Sequence, residues 1–207
     1  MDEITVNFLF IIEFLGTFAF AISGIRMAAS KHFDWFGAYV VGIVTAVGGG
    51  TIRDLLLQTT PFWMGDSIYI ICSAVALIVA IVFRKYLVKM ENTLFIFDTI
   101  GLALFTIVGI EKSLAFDCPM WVAIIMGVLT GCAGGVLRDL FINTVPLIFH
   151  KEVYATASLF GGIILCVCLY FNVNKLVSEL ICALSIIIIR VWAVKKRVSL
   201  PVLKSEE

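Results

Sequence analysis

Charged residues are scarce in this sequence, and the patterns that catalysis or metal binding usually needs are missing. Lys, Arg, Asp and Glu make up 14% of the 207 residues, the formal net charge is zero, and there are two histidines. The six cysteines form no CxxC pair, and no metal-ligand spacing or nucleophile–base pair can be found. We therefore expect that the protein is not an enzyme and has no cofactor, no metal site and no nucleic-acid partner.

Apolar residues are abundant instead, at 61% of the chain, against roughly 45 to 50% in soluble domains. Seven apolar segments can be drawn, each about long enough to cross a bilayer once its flanks are included. The sequence therefore predicts an all-α polytopic membrane protein with seven transmembrane helices and a polar cytoplasmic tail at 195–207. The predicted spans are 7–27, 36–57, 67–84, 93–111, 120–142, 152–171 and 176–194.

The basic residues of the loops are distributed very unevenly between the two sides of the membrane. When successive loops are assigned alternately to the two sides, only Lys112 and Lys175 fall on one of them. The other side, which has the excess of Lys and Arg, is by the positive-inside rule the cytoplasmic one. This asymmetry predicts a multi-pass protein of the cell inner membrane with its amino terminus outside and its carboxyl terminus in the cytoplasm. The residues assigned to the cytoplasmic side are Arg26, Lys31, Arg84, Lys85, Lys89, Lys151, Arg190, Lys195, Lys196, Arg197 and Lys204.

One motif, glycines followed by Arg-Asp, occurs twice at a distance of 85 residues. The copies read GGGTIRDL over 48–55 and AGGVLRDL over 133–140. The same register aligns Pro61 with Pro146 and places Glu13 on Asp98, so we infer an internal duplication. Each unit contains three predicted spans, an odd number, so the second unit enters the membrane from the opposite side. The sequence thus predicts an inverted 3+3 repeat, 7–84 and 93–171, with 176–194 as an additional seventh helix.

The motif also places charges at membrane depth, where each costs about 3 kcal/mol on insertion scales unless it is compensated. Because adjacent residues do not share a helix face, we expect the arginines to pair across the repeats. Arg53 would then lie near Asp139, and Arg138 near Asp54. The two surplus acids, Glu13 and Asp98, would favour cations along a polar path.

The glycines allow two interpretations, which the sequence leaves open. Glycines at 48–50 and 134–135 could break the second and fifth helices and free backbone carbonyls, which are hard ligands suited to Na⁺ or K⁺. Alternatively, they could mark close helix packing, as we expect for Gly16, Gly24 and Gly42, with the Arg-Asp pairs acting only as structural locks. We interpret the aromatic residues near span ends as anchors at the membrane interface. They are Trp35, Phe36, Trp63, Tyr69, Trp121 and Tyr154.

The doubled GGxxRD motif in a seven-span chain of 3+3+1 layout resembles the prokaryotic TRIC (trimeric intracellular cation) channel family, whose domain is also known as glycine-transporter-like. The resemblance covers residues of about 7–194. It implies a homotrimer in a lipid membrane, with a pore in each subunit that passes monovalent cations and favours K⁺. The second copy departs from the pattern at Ala133, where the first has glycine. The residues carried over to the pore are Gly48, Gly49, Gly50, Arg53, Asp54, Gly134, Gly135, Arg138 and Asp139.

Three functions remain open from the sequence. The leading hypothesis is a passive channel for K⁺ or Na⁺, with the glycine-broken helices around the pore. The second is a secondary transporter of a small zwitterion such as glycine, because Arg can bind a carboxylate and Asp an ammonium group. The third is a structural membrane protein that carries no flux.

Overall fold

The computed structural model describes residues 3–85, 93–150 and 152–199, with side chains from residue 8 onward. Within these ranges the chain forms eight α-helices and one 3₁₀ turn, so the all-α prediction is confirmed. Lys89, Lys151, Lys204 and the tail beyond residue 199 lie outside the described residues. The helices are α1 (Glu3–Ser30), α2 (Trp35–Leu56), α3 (Phe62–Gly65), α4 (Ile68–Val82), α5 (Thr93–Ala115), α6 (Met120–Phe141), α7 (Ala155–Tyr170) and α8 (Lys175–Lys196), and the 3₁₀ turn is Leu147–Phe149.

Five of these helices, α1, α2, α5, α6 and α8, are long and apolar enough to cross a membrane. The helices α4 and α7 are also apolar but contain only 15 and 16 residues. At 1.5 Å per residue they extend over about 23 and 24 Å, less than the roughly 30 Å of a hydrocarbon core. The chain is therefore a polytopic helical membrane protein. Each predicted span contains one helix, whereas the number of complete crossings stays a prediction.

The first two helices of each repeat end at equivalent residues, which reflects the duplication in local structure. The first helix of each repeat is followed by a left-handed residue, His32 at φ 61° and Asp117 at φ 57°. The second is followed by Gln58 at φ 56° and Asn143 at φ 54°. A left-handed residue after the last turn lets the following N–H groups bond back to the last carbonyls and stops the helix.

The repeats pack against each other through reciprocal contacts. The rings of Phe20 and Phe105, which are equivalent residues, stack with centroids 5.4 Å apart and an interplanar angle of 10°. In the same way, Gly49 lies against Thr130 while Gly134 lies against Thr45. In the second of these contacts each residue is replaced by its equivalent from the other repeat. Contacts related in this way define a pseudo-two-fold axis between the repeats. The axis passes between α1 and α5 and between α2 and α6, the helices that form the centre of the molecule.

The predicted helix breaks at the glycines are wrong, because α2 and α6 are α-helical throughout. The glycines permit a close helix crossing instead. A Cβ atom at Gly49 would overlap the carbonyl oxygen of Thr130, and one at Gly134 would overlap that of Thr45. The alternative interpretation, close packing, therefore describes these positions. It also holds for Gly24, where a Cβ would lie 2.8 Å from the Val41 carbonyl oxygen.

The last helix, α8, has no equivalent in the repeats and packs against α7 and α5. Its contact face contains Cys182, Ile186 and Ala193, all buried. Its other face is apolar and exposed, with side chains such as Leu184 and Ile188. α8 thus covers one side of the second repeat only, and the first repeat has no such cover among the described residues.

Replacing Gly49 or Gly134 by alanine should lower the free energy of unfolding by about 1 to 3 kcal/mol, because the methyl group overlaps a backbone oxygen. The gain in helix propensity, about 1 kcal/mol, offsets only part of this loss. Gly65→Ala is the control, since no atom lies within 4 Å of a Cβ there. Thermal unfolding in detergent measures the effect. Equal melting temperatures for all three variants would contradict the close crossing of α2 and α6.

Candidate functional site

Each Arg-Asp pair is the centre of a cluster of buried charged side chains. We call the first, Glu13, Arg53, Asp54, Tyr69 and Lys112, the Arg53 cluster. The second, which we call the Arg138 cluster, contains Asp98, Arg138, Asp139, Tyr154 and Arg190. In each cluster the acid from the first helix, the Arg-Asp pair and the tyrosine occupy equivalent positions of the repeat. The fifth member, a second cation, comes from a different place in each cluster.

The Arg-Asp pair of each repeat is a direct ion pair. Nε of Arg53 donates to Oδ1 of Asp54 at 2.8 Å, and Nε of Arg138 donates to Oδ1 of Asp139 at the same distance. The second oxygen of Asp54 accepts the N–H of Phe62 at 2.8 Å. Each aspartate therefore ties its arginine to the loop after the helix. Leu147 is the equivalent donor to Asp139, at 3.0 Å.

The cross-repeat pairing that the sequence suggested is therefore wrong. Side chains of adjacent helical residues diverge by about 100°, but the arginine is long enough for its Nε to fold back to the neighbouring carboxylate. The other aspartate oxygen is taken by the loop of the same repeat. Each Arg-Asp pair thus forms within one repeat, and the glycine crossing of α2 and α6 lies between the two motifs. The repeats still contribute to each other's clusters, through Lys112 beside Asp54 and through Ser23 beside Arg138.

The Arg53 cluster reaches the part of the molecule that solvent can contact. Nη2 of Arg53 lies 3.7 Å from Oε1 of Glu13, whose other oxygen accepts the Tyr69 hydroxyl at 2.9 Å. Nζ of Lys112, in the last turn of α5, lies 3.0 Å from Oδ1 of Asp54. The side chains of Glu13 and Lys112 are 15% and 27% exposed, whereas those of Arg53 and Asp54 are fully buried.

The Arg138 cluster is more deeply buried. Nη1 of Arg138 donates to Oδ1 of Asp98 at 2.6 Å and to the hydroxyl of Ser23 at 2.7 Å. Oδ2 of Asp98 accepts from Nη1 of Arg190 at 3.1 Å. The Arg190 guanidinium also lies over the ring of Tyr154, at 4.6 Å from the centroid. Asp98 is thus held by two arginines from two different helices.

Each cluster contains two carboxylates and two cations, so each is formally neutral. The expected surplus of acid is wrong, because Glu13 and Asp98 neutralise arginines and because two more cations are present. The sequence pattern places Lys112 and Arg190 in loops, but Lys112 pairs with Asp54 and Arg190 is buried in α8. Removing Arg190 from the count of cytoplasmic loop charges leaves ten against two. The orientation of the chain in the membrane stays a prediction.

Some hydrogen-bonding groups of the clusters have no partner in the part of the chain that the structure describes. They include both terminal nitrogens of Arg53, although Nη2 lies in the ion pair with Glu13. They also include Nη2 of Arg138, Nε of Arg190 and the hydroxyl of Tyr154. The clusters therefore retain polar groups that can bind a ligand or water. Among the described residues, no group of three or more His, Cys, Asp or Glu is placed to hold a metal ion.

The structure brings most of the sequence-predicted site residues together. Glu13 joins Arg53 and Asp54, and Asp98 joins the second motif. Gly48 lies against Leu137, Gly50 against Phe62, and Gly135 against the Tyr154 hydroxyl. All predicted positions thus lie in the two clusters or at the crossing between α2 and α6. The predicted pore lining itself stays a prediction.

Sequence reasoning missed several members of the clusters. Tyr69 and Tyr154 are not interface anchors, because both are buried and contact the charged groups. The 85-residue register aligns these two tyrosines with each other, as it aligns the charged residues, and this could have indicated that they belong to the clusters. Arg190 could have been found as a lone charge after Ile186–Ile189, an apolar run that continues beyond it. Ser23 had no such signal, since its equivalent in the second repeat is Val108.

The fold and the clusters define a duplicated, polytopic helical membrane protein with paired charges in its interior. The sequence model of the glycine transporter family matches residues 10–85 and again 95–170, and the chain belongs to this family. A UPF0126 membrane protein of Vibrio cholerae is 39% identical over 198 residues, covering 94% of this chain and 82% of that protein. The UPF0126 inner membrane protein YadS of Escherichia coli K12 is 34% identical over 199 residues, covering 95% and 96%.

Solved structures extend the comparison. The TRIC trimeric intracellular cation channel orthologue from Rhodobacter sphaeroides has a TM-score of 0.87 at 30% identity, covering 92% of this chain and 98% of that one. A second solved structure, described as the structural basis for conductance through TRIC cation channels, has a TM-score of 0.85 at 33% identity. The likeness covers 95% of this chain and 98% of that one. The resemblance to the TRIC family is therefore confirmed.

Replacing Arg138 by methionine should lower the free energy of unfolding by about 3 to 5 kcal/mol, because it leaves Asp139 buried without its ion pair. Adding Asp139→Asn should restore part of this loss, since the second variant no longer buries an unpaired charge. Lys31→Met, at an exposed position, is the control. Denaturation of the single and double variants in detergent gives the coupling energy. Additive losses would contradict the ion pair.

Proposed function

We propose that this protein is a channel for monovalent cations, with K⁺ favoured over anions, and that each subunit contains its own pore. One observation carries the proposal. Structures described as TRIC cation channels share 30% and 33% of their residues with this chain and superpose over more than nine tenths of it.

The proposed ion path runs along α2 and α6 and passes the two charge clusters. The crossing at Gly49 and Gly134 is its narrowest point, because backbone atoms of the two helices meet there. On either side of the crossing lie the Arg-Asp pairs, with Glu13 and Asp98 behind them. The residues of the proposed path are Glu13, Gly48, Gly49, Gly50, Arg53, Asp54, Asp98, Gly134, Gly135, Arg138 and Asp139.

The proposed layout in the membrane has seven crossings. An inverted pair of units, 7–84 and 93–171, is followed by a seventh helix, 176–194, and by the cytoplasmic tail 195–207. The amino terminus is outside. The reciprocal contacts between the units support the inversion, since a two-fold axis that relates units of three crossings lies in the membrane plane. The proposed assembly is a homotrimer surrounded by lipid, as the name of the trimeric neighbour suggests.

Continuous helices do not require a permanently open path. Small residues bring the two backbones close together at the crossing, and Leu137 is the side chain that packs against Gly48 there, so few side chains have to rearrange if the helices shift. A shift of α2 relative to α6 at Gly49 and Gly134 would widen the path between the clusters. In this proposal the glycine crossing is the moving part, and the Arg-Asp pairs keep the ends of both helices attached to their loops.

Purified protein in planar bilayers should carry a K⁺ current in a KCl gradient, with a reversal potential close to that of K⁺. The reason is that the closely related structures are cation channels. Empty bilayers and heat-denatured protein are the controls. A reversal potential close to that of Cl⁻, or no current from protein that is demonstrably folded, would contradict the proposal. Asp54→Asn and Asp139→Asn should change the current, whereas a purely structural role for these pairs changes only stability.

A second candidate is a secondary transporter of a small zwitterion such as glycine. Two observations favour it: the family carries the description glycine transporter, and each cluster places a guanidinium with free donors beside a carboxylate. This function predicts saturable uptake of radiolabelled glycine into proteoliposomes, with exchange against unlabelled glycine. Uptake no greater than in empty vesicles would remove it. Under the channel proposal, we expect that result together with a K⁺ flux in the same vesicles.

A further inference from the structure

We infer that Arg190, on the helix outside the repeat, determines how strongly the proposed channel favours cations. It does so by neutralising Asp98 in the Arg138 cluster. The inference rests on the proposed function and adds to it a residue that lies outside the duplicated motif. Arg190 also lies on a helix that has no equivalent in the first repeat.

Arg190 is fixed in place from several sides. Its Nη1 donates to Oδ2 of Asp98 at 3.1 Å, while Oδ1 of the same carboxylate is taken by Arg138 at 2.6 Å. Its guanidinium lies over the rings of Phe95 and Tyr154, at 4.9 and 4.6 Å from their centroids. The residue is 1% exposed. Arg190 is therefore a fixed interior charge and not a mobile surface cation.

Among the described residues, nothing in the Arg53 cluster corresponds to Arg190. There the second cation is Lys112, which contacts the aspartate of the motif and not Glu13, the equivalent of Asp98. Within the same ranges Glu13 has one cationic partner, Arg53 at 3.7 Å, and its other oxygen accepts the Tyr69 hydroxyl. Arg190 thus brings the Arg138 cluster to neutrality through a contact with Asp98 that Glu13 does not have, although both clusters have the same formal charge.

Burial gives Arg190 more influence than Lys112. The Lys112 side chain is 27% exposed, so solvent and salt screen its charge, whereas Arg190 acts through the low-dielectric interior. With Arg190 present, the Arg138 cluster contains two acids and two cations. Without its charge the cluster becomes net negative by one, and a passing cation is attracted while an anion is repelled.

A purely structural role for Arg190 makes different predictions from an electrostatic one. Two variants that change the charge of the cluster in opposite directions distinguish these roles. Arg190→Gln removes one positive charge but keeps a hydrogen-bond donor for Asp98. Asp98→Asn removes one negative charge from the same contact. A structural defect would impair both variants in the same way. A charge effect moves them in opposite directions, and the double variant returns the cluster to neutrality.

The experiment measures single-channel K⁺ conductance and the K⁺-to-Cl⁻ permeability ratio in planar bilayers at about 20 mM and about 1 M KCl, since salt screens charge effects. At low salt, we expect Arg190→Gln to raise the K⁺ conductance or the K⁺-to-Cl⁻ permeability ratio about three- to tenfold. We expect Asp98→Asn to lower the same quantity by a similar factor. The double variant and Arg190→Lys should resemble the wild type. Both shifts should shrink at high salt. Lys196→Gln, an exposed charge change on the same helix, is the control.

Several outcomes would overturn the inference while the proposed function stands. They are an unchanged ratio and conductance in folded Arg190→Gln, shifts in the same direction for both single variants, or shifts that do not depend on salt. If Arg190→Gln does not fold, a wild-type ratio in Asp98→Asn contradicts the inference equally well. Absence of any wild-type current would instead contradict the proposed function, and this inference would fall with it.

Discussion

The constraint on which this structure depends is that charge within an apolar helix bundle has to be paired. A buried ion loses several kcal/mol of hydration, which only close and well-oriented partners return. The chain meets this requirement twice, by placing arginine next to aspartate at the end of a helix and by using the second aspartate oxygen for the following loop. One ion pair thereby fixes the helix end, the loop and the position of the guanidinium. The acid of the preceding helix then has a defined partner.

Because each arginine pairs with the aspartate of its own motif, the centre of the contact between the repeats is left to apolar and small residues. Polar links between the repeats, Lys112 to Asp54 and Arg138 to Ser23, lie within the two clusters. Phe20 stacks on Phe105 at the axis, and the glycines of α2 and α6 bring the two backbones together. Such a contact has little directional preference, because it contains no ion pair between the motifs. The molecule therefore combines two ends held by ion pairs with a centre where glycine backbones and a few apolar side chains meet. This division fits the proposed ion path between the two units.

Much of the fold could be predicted from the sequence, because it depends on periodic signals. Apolar runs located the five long helices and the two shorter ones, α4 and α7, and the 85-residue register of Arg53 and Arg138 identified the duplication. The pairing could not be predicted, since it depends on how far an arginine folds back and on which loop N–H groups face the aspartate. The place of Arg190 in the cluster could not be predicted for a related reason. A charge near the end of an apolar run looks like a loop residue until the packing of α8 is known.

The short helices α4 and α7 have a consequence for the membrane around the protein. Both extend over about 23 to 24 Å, several ångströms less than an ordinary hydrocarbon core. Wherever their exposed faces, with side chains such as Ile78 and Phe160, meet lipid tails, the two leaflets have to draw together or a neighbouring subunit has to cover the helix. The duplication places one such short helix in each half. Bilayer thickness is therefore a variable to which this protein should respond, and vesicles of shorter or longer acyl chains are the means to change it.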